Sequence, residues 1–283
     1  MALHLQTLLP ISIILAIISS GLHPCESARV FTIVNNCKEN IWPAVTPGDN
    51  FDGGGFFLKP NQSRVFTAPV SWSGRIWART GCKFDSSGSG SCVTGACGSS
   101  LKCSASGKPP VSLAEFTLVA SDFYDVSLVD GFNVPVAILP INGTGNCTTV
   151  RCDYDMRPKC PSELAVKSNG KVVGCRSACD VFNTDEYCCR GNYGNPTTCQ
   201  PTNYSKKFKD ACPNSYSYAY DDPSTIFTCT SPDYDIAFCS SRKQQVCPYQ
   251  QVCNGSKGLN SLIGRWMVRA IVGYWMLSLW NLF

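Results

Sequence analysis

Nineteen cysteines are spread along this chain of 283 residues, and no other feature restricts its fold as much. The first, Cys25, lies in a stretch expected to be removed, and the other eighteen are an even number whose default in an oxidising compartment is full pairing. A free thiolate nucleophile is not expected, and adjacent pairs such as Cys188 and Cys189 read as bridge partners rather than zinc ligands. The spacing carries more than the count. "GSGSCVTGACGSSLKC" puts Cys92, Cys97 and Cys103 into a Gly/Ser-rich loop after Cys82, and "CDVFNTDEYCCRGNYGNPTTC" puts Cys179, Cys188, Cys189 and Cys199 into another. Such segments bury little apolar surface, so cross-links have to hold them. Between them, "ARVFTIVNNCKENIWPAV", "GRIWARTGC" and the stretch from Glu115 through "NVPVAIL" alternate β-branched or aromatic residues with polar ones, the period of strands. The reading is a mainly β chain: a β-sandwich core with two disulfide-rich excursions, at about 80–111 and 156–212. Short helices are expected near residues 161–166 and 204–211, the second from the capping residue and spaced apolar face of "NYSKKFKDAC".

Both ends read as processing signals. Residues 1–27 carry an apolar run near Leu8 to Ile18, too short to span a bilayer, followed by small residues around Ser27 and Ala28. We read a secretory signal cleaved after Ser27; a buried N-terminal helix would leave the cysteines unexplained. The domain then spans 28–241, and 242–283 form an extension. In that extension Asn254, Gly255 and Ser256 precede a spacer and an apolar tail from Trp266 to Phe283, the layout of a GPI-anchor signal from about 254. Arg269 interrupts the tail, and an amphipathic helix or a removed propeptide is the alternative. Cys247 and Cys253 could bridge each other across a short loop.

Charge narrows the function. The chain carries 24 Lys and Arg against 20 Asp and Glu, but residues 28–241 hold 19 of each, the excess lying in Arg242, Lys243, Lys257, Arg265 and Arg269. No phosphate-binding face follows, and nucleic acid is not an expected partner. The only histidines, His4 and His23, leave with the signal. Ser/His/Asp triads, Cys/His pairs and His-ligated metals go with them, and no metal or cofactor is expected. Carboxylates remain. "EFTLVASDFYDVSLVDGF" contains Glu115, Asp122, Asp125 and Asp130. Alternation sends Asp125 to the face of Ser127 and Val129, whereas Asp130 has the opposite parity and sits with Gly131 in an expected turn. The four acids therefore do not form one solvated stripe. Trp42, Trp72 and Trp77 are expected in core or half-buried packing.

Several segments carry a resemblance: "FTIVNNC", "GRIWARTGC", "GSGSCVTGACGSSLKC", "LAEFTL", "DFYDVSLVDGFNVP", "CRSACDVFNTDEYCC", "PTNYSKKFKDACP" and "YDDPSTIFTC". From about Ala28 to Cys239 the chain resembles the plant thaumatin-like, pathogenesis-related family. The resemblance implies eight bridges: Cys37 with Cys239, Cys82 with Cys92, Cys97 with Cys103, Cys147 with Cys229, Cys152 with Cys212, Cys160 with Cys175, Cys179 with Cys188, and Cys189 with Cys199. It also implies an acidic cleft lined by Arg75, Glu115, Asp125, Asp130 and Asp221, with Asp222 the alternative to its neighbour. Asp122 has no such role and is expected to be a solvated strand-end acid. Ala96 stands where the family usually has an Asp, a change expected to affect local hydrogen bonding more than the cleft.

The chemistry fits such a cleft. Gathered carboxylates repel one another unless a cation, a metal or hydroxyl donors offset them, and Arg75 is a partial offset. Without the resemblance, a structural ion-pair network is the favoured reading. The resemblance implies a secreted, monomeric defence protein of the extracellular space that binds fungal β-1,3-glucan or another wall polysaccharide and disturbs microbial walls or membranes. Alternatives are a weak endo-β-1,3-glucanase using Glu115 with Asp125 or Asp130 as its carboxyl pair, an inhibitor of microbial wall-degrading enzymes, or a GPI-anchored signalling module at the plasma membrane. Sequons at Asn61, Asn142 and Asn203 are candidate glycan acceptors; Asn146 is disfavoured by the bridge expected at Cys147, and Asn254 overlaps the anchor signal.

Overall fold

A computed structural model describes residues 28–240 of the chain. The secretory and anchor signals, Cys247, Cys253 and Asn254 lie outside the described residues. The strands are β1 (Arg29–Asn35), β2 (Trp42–Thr46), β3 (Ser63–Ala68), β4 (Ser73–Arg79), β5 (Lys83–Phe84), β6 (Gly90–Ser91), β7 (Leu113–Thr117), β8 (Ser121–Ser127), β9 (Val136–Ile141) and β10 (Val150–Cys152). After them come β11 (Ala165–Ser168), β12 (Lys171–Cys175), helices α1 (Ala178–Phe182), α2 (Asp185–Cys188) and α3 (Asn203–Ala211), then β13 (Phe227–Thr230) and β14 (Asp233–Phe238).

Two five-stranded sheets, ordered β10-β9-β14-β1-β3 and β13-β8-β7-β4-β2, form the sandwich. Alternation decides which side chains lie between them. On β1 Phe31 and Ile33 point inward, on β7 Phe116, and on β8 Tyr124 and Val126. Aromatic rings lock the layers together: Phe116 meets Tyr234 edge-on at 4.9 Å between centroids, and Phe31 meets Phe116 at 5.1 Å. Trp72 joins this cluster, Trp77 is wholly buried, and Trp42 is half-buried against Phe57. The first and last strands run parallel side by side, β1 on β14, and Cys37 bridges Cys239 just beyond their ends. All eight bridges implied by the resemblance are present.

Asp122 is not a solvated acid. It shares the inward parity of Tyr124 and Val126, is fully buried, and is neutralised by Arg29, whose Nε lies 2.8 Å from its Oδ2. The Tyr234 hydroxyl and the Val119 N–H also donate to it, at 3.1 and 3.0 Å. A buried carboxylate survives only with such partners.

The first excursion folds over one end of the outer face of the second sheet. There Ala44, Trp77, Val111 and Leu113 pack with Cys97 in a small second core, and Trp77 Nε1 donates to Gly95 O at 2.8 Å. The second excursion holds the β11–β12 hairpin and the three helices. The helix expected near 161–166 is instead a turn, Leu164 N–H to Pro161 O at 3.0 Å, leading into β11. Asn169 and Gly170, both at positive φ, make the tight hairpin turn that sets β11 on β12, and strand pairing outweighs local helix preference. The second expected helix is α3, opened by a capping box between Thr202 and Ser205 and turning Phe208 inward.

Candidate functional site

Because Ile76, Phe116, Tyr124 and Val126 face the core, their odd-numbered neighbours on β4, β7 and β8 point outward. Register then aligns three of them. Arg75 is directly opposite Glu115, and Glu115 directly opposite Asp125, so the charged groups form one row across adjacent strands, continued on β2 by Thr46. Directly opposed Cβ atoms are about 4.5–5.5 Å apart, close enough for each side chain to feel the next. Arg75 Nε lies 2.6 Å from Glu115 Oε1. The next row toward the first excursion, Trp77 and Leu113, is covered; the acidic row is not.

Hollows lie on both sides of this row. One of about 590 Å³ is lined by Arg75, Glu115 and Asp125 together with Ser73, Thr117 and Phe123. Another of about 410 Å³ shares the three charged residues and adds Asp130, Tyr216 and Ala219. A third of about 480 Å³ shares Asp130 and Ala219 and reaches Asp180, Glu186, Tyr187 and Tyr218 in and beside the second excursion. Shared walls make these one groove following β8 from Phe123 to the turn at Asp130.

Asp125 is the most perturbed group in it. Burial and the adjacent Glu115 carboxylate push it up to about 8, with Arg75 opposing, and its buried Oδ1 has no hydrogen-bond partner. Asp130 is also raised, chiefly by burial, with Arg75 opposing and Asp180 adding to the rise. Its position depends on Gly131, at φ 90°, where a Cβ would lie 2.5 Å from Cys175 O.

Asp221 plays a different part from the row. Its Oδ2 accepts from Ser217 N and Oγ, both at 2.8 Å, and pairs with Lys209 Nζ at 3.0 Å, while its Oδ1 accepts from Asp222 N at 2.8 Å. Burial works against ionisation, yet these donors hold its carboxyl below the usual range. The carboxylate is therefore turned into its own loop, which seats Tyr216 beside β8: Tyr216 N–H bonds Val126 O at 2.9 Å, and Leu128 N–H bonds Tyr216 O at 2.8 Å. Asp222 is exposed and caps a short turn through Ser224 N. Ala96 lies away from the row and accepts from Lys108 N. Asn61, Asn142 and Asn203 are all exposed. Among the described residues no group of three or more His, Cys, Asp or Glu is arranged to hold a metal ion.

Sequence reasoning missed Phe123, Tyr216 and Tyr218. Phe123 has the parity of Asp125 and was within reach of the alternation argument; the tyrosines enter through a loop that no local pattern places.

The Thaumatin family model matches residues 35–240. Pathogenesis-related thaumatin-like protein 3.5 of Cryptomeria japonica is 56% identical over 218 residues, 76% of this chain and 91% of that protein. Pathogenesis-related protein 5 of Arabidopsis thaliana is 53% identical over 230 residues, covering 80% and 95%. A glucan endo-1,3-beta-glucosidase of Prunus avium is 46% identical over 239 residues, covering 81% and 96%. With the match running through both sheets, both excursions and the groove, this chain belongs to the thaumatin family.

Proposed function

We propose that the protein is a secreted, extracellular plant defence protein that binds β-1,3-glucan of microbial cell walls along the groove. The observation that carries this reading is the row Arg75–Glu115–Asp125, with Asp125 Oδ1 left without a partner in an open hollow. A buried polar atom without a partner is costly, and a sugar hydroxyl or ordered water entering the groove would satisfy it. Neutral polyols suit the site: carboxylates accept from hydroxyls, the Arg75 guanidinium donates to ring and hydroxyl oxygens, and among the described residues Arg75 is the one cation lining the groove, which does not favour a polyanion. Eight disulfides suit an oxidising compartment, which agrees with a secreted product.

A second reading, weak hydrolysis of the same glucan, is favoured by the raised Asp125 and by the likeness to the Prunus avium glucan endo-1,3-beta-glucosidase. Asp125 holds its proton near neutral pH and would deliver it to the glycosidic oxygen. Glu115, ion-paired to Arg75, would face the developing positive charge on the sugar as nucleophile or stabiliser. The test mixes the oxidised, secreted protein with insoluble β-1,3-glucan and scores bound protein and released reducing sugar, beside Glu115→Gln and Asp125→Asn. Binding without release supports a wall-binding protein. Release that both variants abolish supports the enzyme, and absence of binding overturns both readings in favour of a protein partner.

A further inference from the structure

The hollow at the start of β8 holds a feature that the acidic row does not need. Phe123 lies two residues before Asp125 on the same strand and the same face, and its side chain is left 46% exposed on the surface of the sandwich. The ladder places Thr117 opposite it on β7 and Thr228 opposite it on β13, and Ser73 lies opposite Thr117 on β4. The ring is therefore flanked by hydroxyl-bearing side chains within the sheet. Ser73 Oγ donates to Phe116 O at 3.2 Å and lies 3.1 Å from Thr117 Oγ1, which fixes these hydroxyls along the floor. Ile226, 44% exposed, lies on the far side of Asp125 in the same hollow.

An exposed aromatic face beside fixed hydroxyls, one strand repeat from a carboxyl, matches the two-sided character of a pyranose: an apolar face of C–H groups and an equatorial rim of hydroxyls. A polyanion or a cationic peptide would find no charge at this end of the hollow to recognise, since its lining beyond Arg75, Glu115 and Asp125 is neutral. We propose that Phe123 is a stacking platform for one sugar residue of a neutral polysaccharide, forming a distinct subsite next to the carboxyl row. This rests on the glucan reading above. From Phe123 to Ser127 β8 advances about 13 Å at its usual rise, and the hollow beyond its end lengthens the groove. The groove thus has length for several consecutive sugars, with Phe123 at one end and the tyrosine-lined hollow at the other.

The experiment measures affinity for a soluble β-1,3-linked glucohexaose by titration calorimetry, for the wild-type protein, Phe123→Ala, Phe123→Leu and Phe123→Trp. Thermal melting of each confirms that the fold is kept. Stacking predicts that Phe123→Ala and Phe123→Leu weaken binding by about three- to tenfold, the range of a single aromatic contact, and that Phe123→Trp keeps or strengthens it. Wild-type binding left unchanged by Phe123→Ala and Phe123→Leu overturns the platform while leaving the glucan reading intact, and equal weakening by all three variants overturns stacking as its basis. Failure of the wild-type protein to bind overturns the glucan reading and the subsite with it.

Discussion

Asp125 carries a proton where an ordinary aspartate would not, and the consequence is measurable as stability. In the unfolded chain its pKa returns to near 3.8, whereas in the fold burial and Glu115 push it to about 8. Between those values the folded state holds a proton that the unfolded state has released, so stability falls as pH rises. The contribution is intact below about pH 4 and is lost progressively up to about pH 8. Replacing Asp125 with Asn removes the group that must ionise while keeping its shape. The expected result is that Asp125→Asn is more stable than wild type at pH 7 by about 1–4 kcal/mol, with the difference vanishing near pH 4. Urea unfolding of both proteins at several pH values checks this, and parallel pH profiles would refute the assignment. Asp130 and Asp235 are raised as well, so the comparison of two proteins, not the wild-type slope alone, isolates the group.

At the scale of elements, the loop carrying Tyr216 and Tyr218 is organised by Asp221, and its neighbour does little. Asp221 combines a buried carboxylate with the Lys209 ion pair and two backbone N–H donors; Asp222 is exposed and caps one turn. Asp221→Ala should therefore cost about 2–3 kcal/mol, since it leaves the Ser217 N–H without its acceptor and Lys209 without its counter-ion, with only Ser215 O still accepting from it, and Asp222→Ala should cost clearly less. Melting temperatures of the two variants decide it, and an equal cost would contradict this account. Much of β8 was legible in the sequence, because alternation groups 122, 124 and 126 against 123, 125 and 127. What alternation lacks is the partner that makes an inward acid tolerable: Arg29 lies 93 positions from Asp122, a pairing only the assembled sandwich reveals. The row itself needed register, which depends on how β4, β7 and β8 align, and no single strand encodes that. The misread helix near 161–166 has the same origin, since β11 exists only because β12 pairs with it.

For the molecule as a whole, the cysteines divide the labour between two kinds of structure. The sandwich is held by buried apolar side chains from both sheets, with Cys37–Cys239 and Cys147–Cys229 tying distant segments. The second excursion contributes few buried apolar residues, Leu164 and Phe208 among them, and relies on Cys160–Cys175, Cys179–Cys188 and Cys189–Cys199, closed at its base by Cys152–Cys212. Closing a loop such as the 15-residue span of Cys160–Cys175 is worth about 3 kcal/mol in chain entropy. Removing several such closures exceeds what the excursion's small apolar contacts can replace, while the aromatic core between the sheets is untouched by reduction. Local opening should therefore precede global unfolding. Limited proteolysis under increasing thiol reductant is expected to cut first within 156–212 and to leave the sheet segments protected, with cuts in β1, β4 and β8 appearing only at higher reductant. Simultaneous cleavage of excursion and sheets would show instead that the bridges stabilise one cooperative unit. The order bears on the groove too: the wall formed by Tyr187 depends on the bridged excursion, whereas Arg75, Glu115, Asp125 and Phe123 stand on the sheet and outlast it.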